Sequence, residues 1–237
     1  MPMKFRFRWI PFVAALLAAA IGVSLGQWQT RRAAEKLAIE ARQQSREAEP
    51  SAGIGAEIRR PEEVEFRRMK VRGEFIPDWT VYLDNRPYKG AAGFYVMTPM
   101  RIAGSDMHVL VARGWVKRDV TDRAKLPPIP TPAGTVEIEG TARRAPGHVM
   151  QLGKADALRR GAIVQNVDAS DFVKSAGLKM QPFVLEQGGD MQDGLVRDWP
   201  RPSTGVEKHQ GYAFQWYALA VTALLFFVAT GFRRGKE

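Results

Sequence analysis

The sequence predicts a membrane α plus α+β protein, with two transmembrane helices flanking a mainly antiparallel β-rich extracytoplasmic domain. Three observations lead there. A charge-free apolar run occupies residues 10–28, a second occupies residues 210–232, and the stretch between them changes from helix-forming to strand-forming composition near Pro50. Each run is close to the roughly 20 residues that cross a bilayer's hydrocarbon. An even number of spans puts both termini on one side and the whole middle segment on the other. The expected organisation is a cytoplasmic tail over residues 1–9, transmembrane helices over 10–30 and 208–232, an external domain over 31–207 and a tail over 233–237. Within that domain, residues 31–49 are expected as helix and 54–200 as the β-rich core.

The first run has a basic start, an apolar middle and small residues at Ala18 to Ala20, which also describes a cleavable signal peptide. The apolar stretch continues past those alanines to Trp28, as a retained anchor does. Arg31, Arg32 and Lys36 after the first span balance Lys4, Arg6 and Arg8 before it, so the positive-inside count does not decide orientation. Both termini are expected inside, because long loops translocate with little regard to charge and the two tails are short and basic. Residues 31–49, rich in Ala, Glu, Arg, Gln and Lys, read as a helix carrying the first span into water, ended by Pro50 to Gly53.

Beyond it, strands are expected over residues 65–75, 80–83, 93–101, 108–116 and 135–142, each rich in β-branched and aromatic residues or alternating in polarity. Asn85-Arg86-Pro87 with Lys89-Gly90, and Gly104-Ser105-Asp106, supply turns, and residues 127–132 read as an extended, polyproline-like crossing. A strand over 162–167, a helix from a Ser170 cap to Ala176 stopped by Gly177, and a last strand over 182–186 complete the domain. Short successive strands favour a curved sheet or small barrel over a doubly wound sheet.

Composition narrows the chemistry. With no cysteine, disulfides, thiolate metal sites and thiol nucleophiles are excluded. Only His108, His148 and His209 offer imidazole, so a zinc site of several histidines is not expected unless carboxylates complete it, while a lone axial ligand stays available. The net charge of +10 would suggest nucleic acid in a soluble protein, yet Lys4, Arg6, Arg8, Arg233, Arg234 and Lys236 flank the apolar runs, where they suit anionic lipid headgroups. No phosphate loop, nucleophile elbow or HExxH helix occurs, and the carboxylates are scattered, so the usual enzymatic signatures are missing while an enzyme stays open at this point.

His209 lies where Lys208 gives way to the second apolar run, and at helical spacing it shares a stripe with Tyr212, Ala213, Trp216 and Ala220. A neutral imidazole beside flat aromatic side chains can ligate a haem iron; an interfacial histidine within an ordinary aromatic belt explains the same residues. Gly22 and Gly26 form a GxxxG that lets another helix approach, and the second span is an available partner. Arg86 and Arg113 adjoin expected strands, where each could hold a carboxylate such as a porphyrin propionate or make an ion pair within the domain.

These pieces resemble the surfeit locus protein one family of cytochrome c oxidase assembly factors. Leu25-Gly26-Gln27-Trp28-Gln29-Thr30-Arg31 is similar to the family's motif at the exit of the first span, continued by Glu35-Lys36, Leu37 and Ile39. Gly73-Glu74-Phe75, Asp84-Asn85-Arg86, Gly93-Phe94, Thr98-Pro99, and Val111 with Arg113-Gly114-Trp115-Val116 follow in the family's order. The closing Lys208-His209-Gln210-Gly211-Tyr212-Ala213-Phe214-Gln215-Trp216-Tyr217-Ala218-Leu219-Ala220 is the most specific match. Ala112, Lys117 and Asn166 depart from the family's usual Asn, Pro and aromatic. The resemblance implies a non-enzymatic helper of oxidase biogenesis in a bacterial inner membrane, its central domain periplasmic. It implies haem a as cofactor, His209 as candidate axial ligand, and Trp28, Tyr212 and Trp216 as candidate pocket walls. The partners it implies are the oxidase catalytic subunit, the haem a synthase and the lipid membrane. Set against it are two readings without a haem role: a two-span structural or interaction protein with a periplasmic domain, such as a polysaccharide chain-length regulator, and a membrane-anchored external enzyme.

Overall fold

The computed structural model describes residues 3–122, 124–150, 157–200 and 205–234; residues 1 and 2 of the first expected tail, and residues 235–237 of the second with Lys236, lie outside them. In chain order the elements are β1 (Met3–Phe5), α1 (Trp9–Ala48), β2 (Ala52–Gly53), α2 (Pro61–Val64), β3 (Arg68–Phe75), β4 (Val81–Leu83), β5 (Gly93–Ile102), β6 (Met107–Lys117), β7 (Val136–Arg143), β8 (Ile163–Val164), α3 (Ala169–Ala176), β9 (Lys179–Gln187), α4 (Val206–Gly231) and β10 (Phe232–Arg234). They form two units, one of residues 43–201 and one that joins residues 1–42 to residues 202–237.

The first unit is a barrel with an extension. β3, β7, β9, β6 and β5 are hydrogen-bonded in that order, and β3 pairs again with β5, which closes the ring; β4 and β8 extend it from β5, and β2 lies against β3. Closure leaves fewer unpaired strand edges than an open sheet would. The neighbours within the ring are antiparallel except β6 with β9, which are parallel.

Burial follows from position in this ring. β3 and β7 alternate, with Met69, Val71, Phe75, Ile138 and Ala142 turned inward. β6 is buried from Met107 to Trp115, because Val109 and Val111 fill the barrel while Leu110 and Ala112 face the other way, into a second cluster built on Phe172 of α3. That two-sided burial explains why β6 reads as a continuous apolar run and not as an alternation.

The strands expected over 65–75, 80–83, 93–101, 108–116, 135–142 and 182–186 all appear, with ends shifted by a few residues. Two readings are corrected. The cap of α3 is Asp168 and not Ser170: Asp168 and Asp171 form a reciprocal capping box, with the Asp168 amide donating to Asp171 Oδ2 at 2.8 Å. Of the strand expected over 162–167, only Ile163 and Val164 pair, in parallel with β4; Val167 instead packs in the cluster beneath α3. Gly177 ends α3 as expected, in the left-handed conformation at φ 67°.

The second unit is helical. α1 runs unbroken for 40 residues, about 60 Å at 1.5 Å per residue, twice the roughly 30 Å of bilayer hydrocarbon. Pro11 is harmless in its first turn, where the backbone amide has no intrahelical acceptor to lose. α1 and α4 are both long and apolar enough to cross a membrane.

The buried residues of α1 are Ala15, Ala19, Gly22, Gly26, Gln29 and Ala33, at alternating steps of four and three. On α4, Val206, Ala213 and Ala220 are buried at steps of seven. This is the repeat that keeps one seam of a helix against a partner. Contacts recur along both helices in antiparallel sense: the Phe12 and Phe227 rings lie 5.5 Å apart, Gly22 faces Ala220, and Gly26 faces Tyr217. A methyl group on Gly22 would sit 2.9 Å from the Ala220 Cβ and from the Trp216 carbonyl oxygen, and one on Gly26 would meet the Tyr217 ring at 2.6 Å. The GxxxG is therefore used, and the second span is its partner. β1 and β10 pair antiparallel at the other end of the hairpin, with the Arg6 amide donating to the Gly231 carbonyl at 2.9 Å.

Because the chain lacks cysteine, Gly22→Cys with Ala220→Cys introduces a lone thiol pair. The helices need to open by only about 1 Å to reach the roughly 3.8 Å Cβ separation of a disulfide. Mild oxidation of membranes is expected to close an intramolecular bond, read as loss of maleimide labelling; full labelling after oxidation would contradict the close approach.

Candidate functional site

The site is assembled where the seam between the two helices becomes polar. α4 begins at Val206, so His209 lies in its first turn, half-buried and on the same side as Val206 and Ala213. On α1 the seam position after Gly26 is Gln29, only 9% exposed. The two side chains meet, with His209 Nδ1 2.6 Å from Gln29 Oε1. With the amide oxygen in this orientation the contact is made by Nδ1–H, since a carbonyl oxygen can only accept, and the neutral ring then has its lone pair on Nε2. No hydrogen bond to Nε2 is found among the described residues.

Neighbouring contacts hold this pair in place. Tyr217 packs over Gly26, and the Thr30 hydroxyl donates to the Gly26 carbonyl at 2.9 Å and lies 3.4 Å from the Tyr217 hydroxyl. Trp216, two turns beyond His209, is half-buried and lines an apolar groove of about 510 Å³ that continues along Gly22, Leu219 and Phe226. Tyr212 is 54% exposed, and Trp28 is 44% exposed with the Arg32 guanidinium 6.0 Å from its ring centre. The fold thus sets His209 and Trp216 on one face of α4, while Tyr212 and Trp28 present open rings; among the described residues no ring pair joins the three aromatics to one another.

Gln29 was not singled out from the sequence. Its signal was there in the spacing, since Gly22, Gly26, Gln29 and Ala33 form one helical stripe in which Gln29 is the lone polar member. Of the other histidines, His108 is buried in β6 with Nδ1 3.1 Å from the Lys179 carbonyl, and His148 is an exposed residue of the barrel unit. Among the described residues no cluster of three His, Asp or Glu could hold a metal ion.

Comparison with known proteins places the chain. The sequence profile of the SURF1 family matches residues 16–221, a span that takes in the first helix's motif, the barrel and His209. The chain belongs to the SURF1 family. It is similar to the SURF1-like protein of Rickettsia bellii, 26% identical over 91% of this chain and 88% of that one, and to that of Rickettsia felis, 26% identical over 91% and 94%. An uncharacterised SURF1-like protein of Mycobacterium bovis is 29% identical over 68% of this chain and 58% of its own length. The SURF1 family comprises oxidase assembly factors, and this member carries two helices of membrane-spanning length and apolarity.

The positions at which this SURF1 protein departs from the family's usual residues are absorbed locally. Ala112 packs in the core beneath α3, Lys117 is exposed at the end of β6, and the Asn166 amide brackets Val149, accepting its N–H and donating to its carbonyl, both at 2.9 Å.

Arg86 and Arg113 turn into the barrel unit. Arg86 donates to the carbonyls of Gly147 and Gln165, each at 3.0 Å, and tethers those two segments. Arg113 has no exposed side-chain surface; it donates to Thr131 Oγ1 and the Pro130 carbonyl at 2.7 Å, fastening the polyproline-like crossing, and pairs with Asp193 at 3.3 Å. Asp193 also binds Arg197 at 2.6 Å. Of the two readings of Arg113, the ion pair within the domain is the one formed.

Burial pushes the Asp193 carboxyl pKa up. Hydrogen bonds from Arg197 and the Leu195 amide, with the charges of Arg197 and Arg113, outweigh it and hold the pKa below the ordinary carboxylate value. A depressed folded-state pKa contributes stability that is full above the unfolded value of about 3.9 and is lost as pH falls through the folded one. Asp193→Asn is therefore expected to destabilise the barrel by about 3 kcal/mol at neutral pH, since it leaves buried arginine charge uncompensated. The gap from the parent should narrow below about pH 4. Thermal melts across pH check this; equal stability at pH 7 would contradict it.

Proposed function

We propose that this SURF1 protein binds haem a through His209 and assists its delivery to the catalytic subunit of cytochrome c oxidase. The observation that carries the reading is His209 itself: a half-buried imidazole whose Nδ1 is engaged by Gln29 and whose Nε2 has no protein partner among the described residues. One available lone pair in a partly dehydrated setting suits axial ligation of a haem iron. When bound, the haem brings the redox-active iron that the oxidase requires; the chain's own part is to hold and orient it.

Trp216 beside the groove, with the open rings of Tyr212 and Trp28, would supply flat apolar walls for the macrocycle. The proposed partners are the oxidase catalytic subunit as recipient, the haem a synthase as donor, and the lipid of the cell inner membrane. The proposed topology has both termini cytoplasmic and the barrel periplasmic. In this reading the protein is a chaperone of the respiratory chain and not an enzyme, because His209 orients a ligand without a convergent acid and base to act on one.

Full-length protein purified in mild detergent from cells that make haem a is expected to carry haem absorption, and His209→Ala to abolish or shift it. A colourless parent, or an identical spectrum in the variant, would contradict the haem reading. Reporter fusions within residues 54–200 are expected to report from the periplasm, and fusions after residue 234 from the cytoplasm; the reverse would contradict the topology.

A further inference from the structure

Resting on the proposed role of His209, we infer that Gln29 is its positioning residue, the group that selects the tautomer in which Nε2 is the ligating nitrogen. Gln29 occupies a seam position otherwise filled by Ala15, Ala19, Gly22, Gly26 and Ala33. A primary amide among small apolar residues costs free energy unless its hydrogen bonds are met. Alanine would fill the same position without that cost. The amide's partner is the His209 ring, at 2.6 Å and across the helix interface.

The consequence is chemical. With Oε1 facing Nδ1, the ring proton is held on Nδ1 and Nε2 presents its lone pair; with the amide reversed, Nδ1 would accept and the proton would block Nε2. Ligating histidines commonly donate their other ring N–H to a fixed acceptor, which sets ring orientation and raises ligand basicity. The Thr30 and Tyr217 contacts at Gly26 restrain the α1 turn that carries Gln29.

A bland alternative is that the bond only fastens the two helices together, as polar pairs in membranes do. The two differ in what they move. The test uses the full chain in detergent, with Gln29→Leu removing the acceptor, Gln29→Glu keeping one, and His209→Ala as the assignment control. In protein labelled with 15N-histidine and prepared without haem, the parent and Gln29→Glu are expected to show His209 protonated on Nδ1, and Gln29→Leu to lose that preference. In protein prepared from haem a-producing cells, Gln29→Leu is expected to retain haem about 10- to 100-fold more weakly. Gln29→Glu should restore retention with a lower reduction potential, because a carboxylate acceptor makes the ring a stronger donor. The disulfide between Gly22→Cys and Ala220→Cys is expected to form equally in the Leu variant.

Protonation of His209 on Nε2 in the parent would overturn the inference, as would parental retention and potential in Gln29→Leu. Loss of the helix disulfide together with haem in the Leu variant would also overturn it, in favour of the fastening role. Haem retained unchanged by His209→Ala would instead overturn the proposed function, a result distinct from any failure of Gln29 alone.

Discussion

The close approach of α1 and α4 at Gly22 and Gly26 is the constraint on which the proposed site depends. In a bilayer the lipid tails are as apolar as the helices, so burying leucine gives little reason for two spans to associate; small residues that admit backbone contact, and polar pairs across the interface, supply it. Gly22 against Ala220 and Gly26 against Tyr217 bring the helices close enough for a side chain of each to meet one turn further along. Gln29 and His209 are those side chains. Bulky residues such as leucine at either glycine, which cannot bond across the seam as a cysteine pair can, would hold the helices apart, and the imidazole would lose its acceptor.

Polar chemistry at this seam contrasts with that of the barrel. There the buried charges are clamped by the protein: Arg113 is held by a hydroxyl, a carbonyl and a carboxylate, and Arg86 by backbone carbonyls, although the Nε of each is buried without an acceptor among the described residues. Such groups fix loops in place and offer nothing to a ligand. At His209 one ring nitrogen is engaged and the other has no partner among the described residues. An open nitrogen that can act as a ligand, in a half-buried residue at a helix start, separates a candidate binding group from an arginine whose unmet N–H is sealed inside the barrel.

Much of this architecture could be read from the residues. Alternation marked β3 and β7 because each has one face in the barrel, and the long apolar runs marked the spans because nothing in lipid relieves a charge. Other features could not be read, for reasons of physics. Parallel pairing of β6 with β9 joins segments far apart in sequence and leaves no local trace. Ser170 and Asp168 are both good cap residues, and what chose between them was the reciprocal bond that the Asp171 carboxylate accepts from the Asp168 amide. The inward turn of Arg86 and Arg113 depends on where distant carbonyls and Asp193 arrive. Gln29 was legible in principle from the Gly22, Gly26, Gln29, Ala33 spacing, but its partner became visible only once the helices were paired.

The central claim is that His209 offers one imidazole nitrogen to a haem iron. Electron–nuclear double resonance on ferric pigment from full-length protein carrying 15N-histidine, in a background of His108→Gln and His148→Gln, addresses it directly, because His209 is then the only histidine of the chain. The account predicts a hyperfine coupling from iron to the labelled nitrogen. An iron with no histidine nitrogen bound, or a protein that retains no haem, would contradict it.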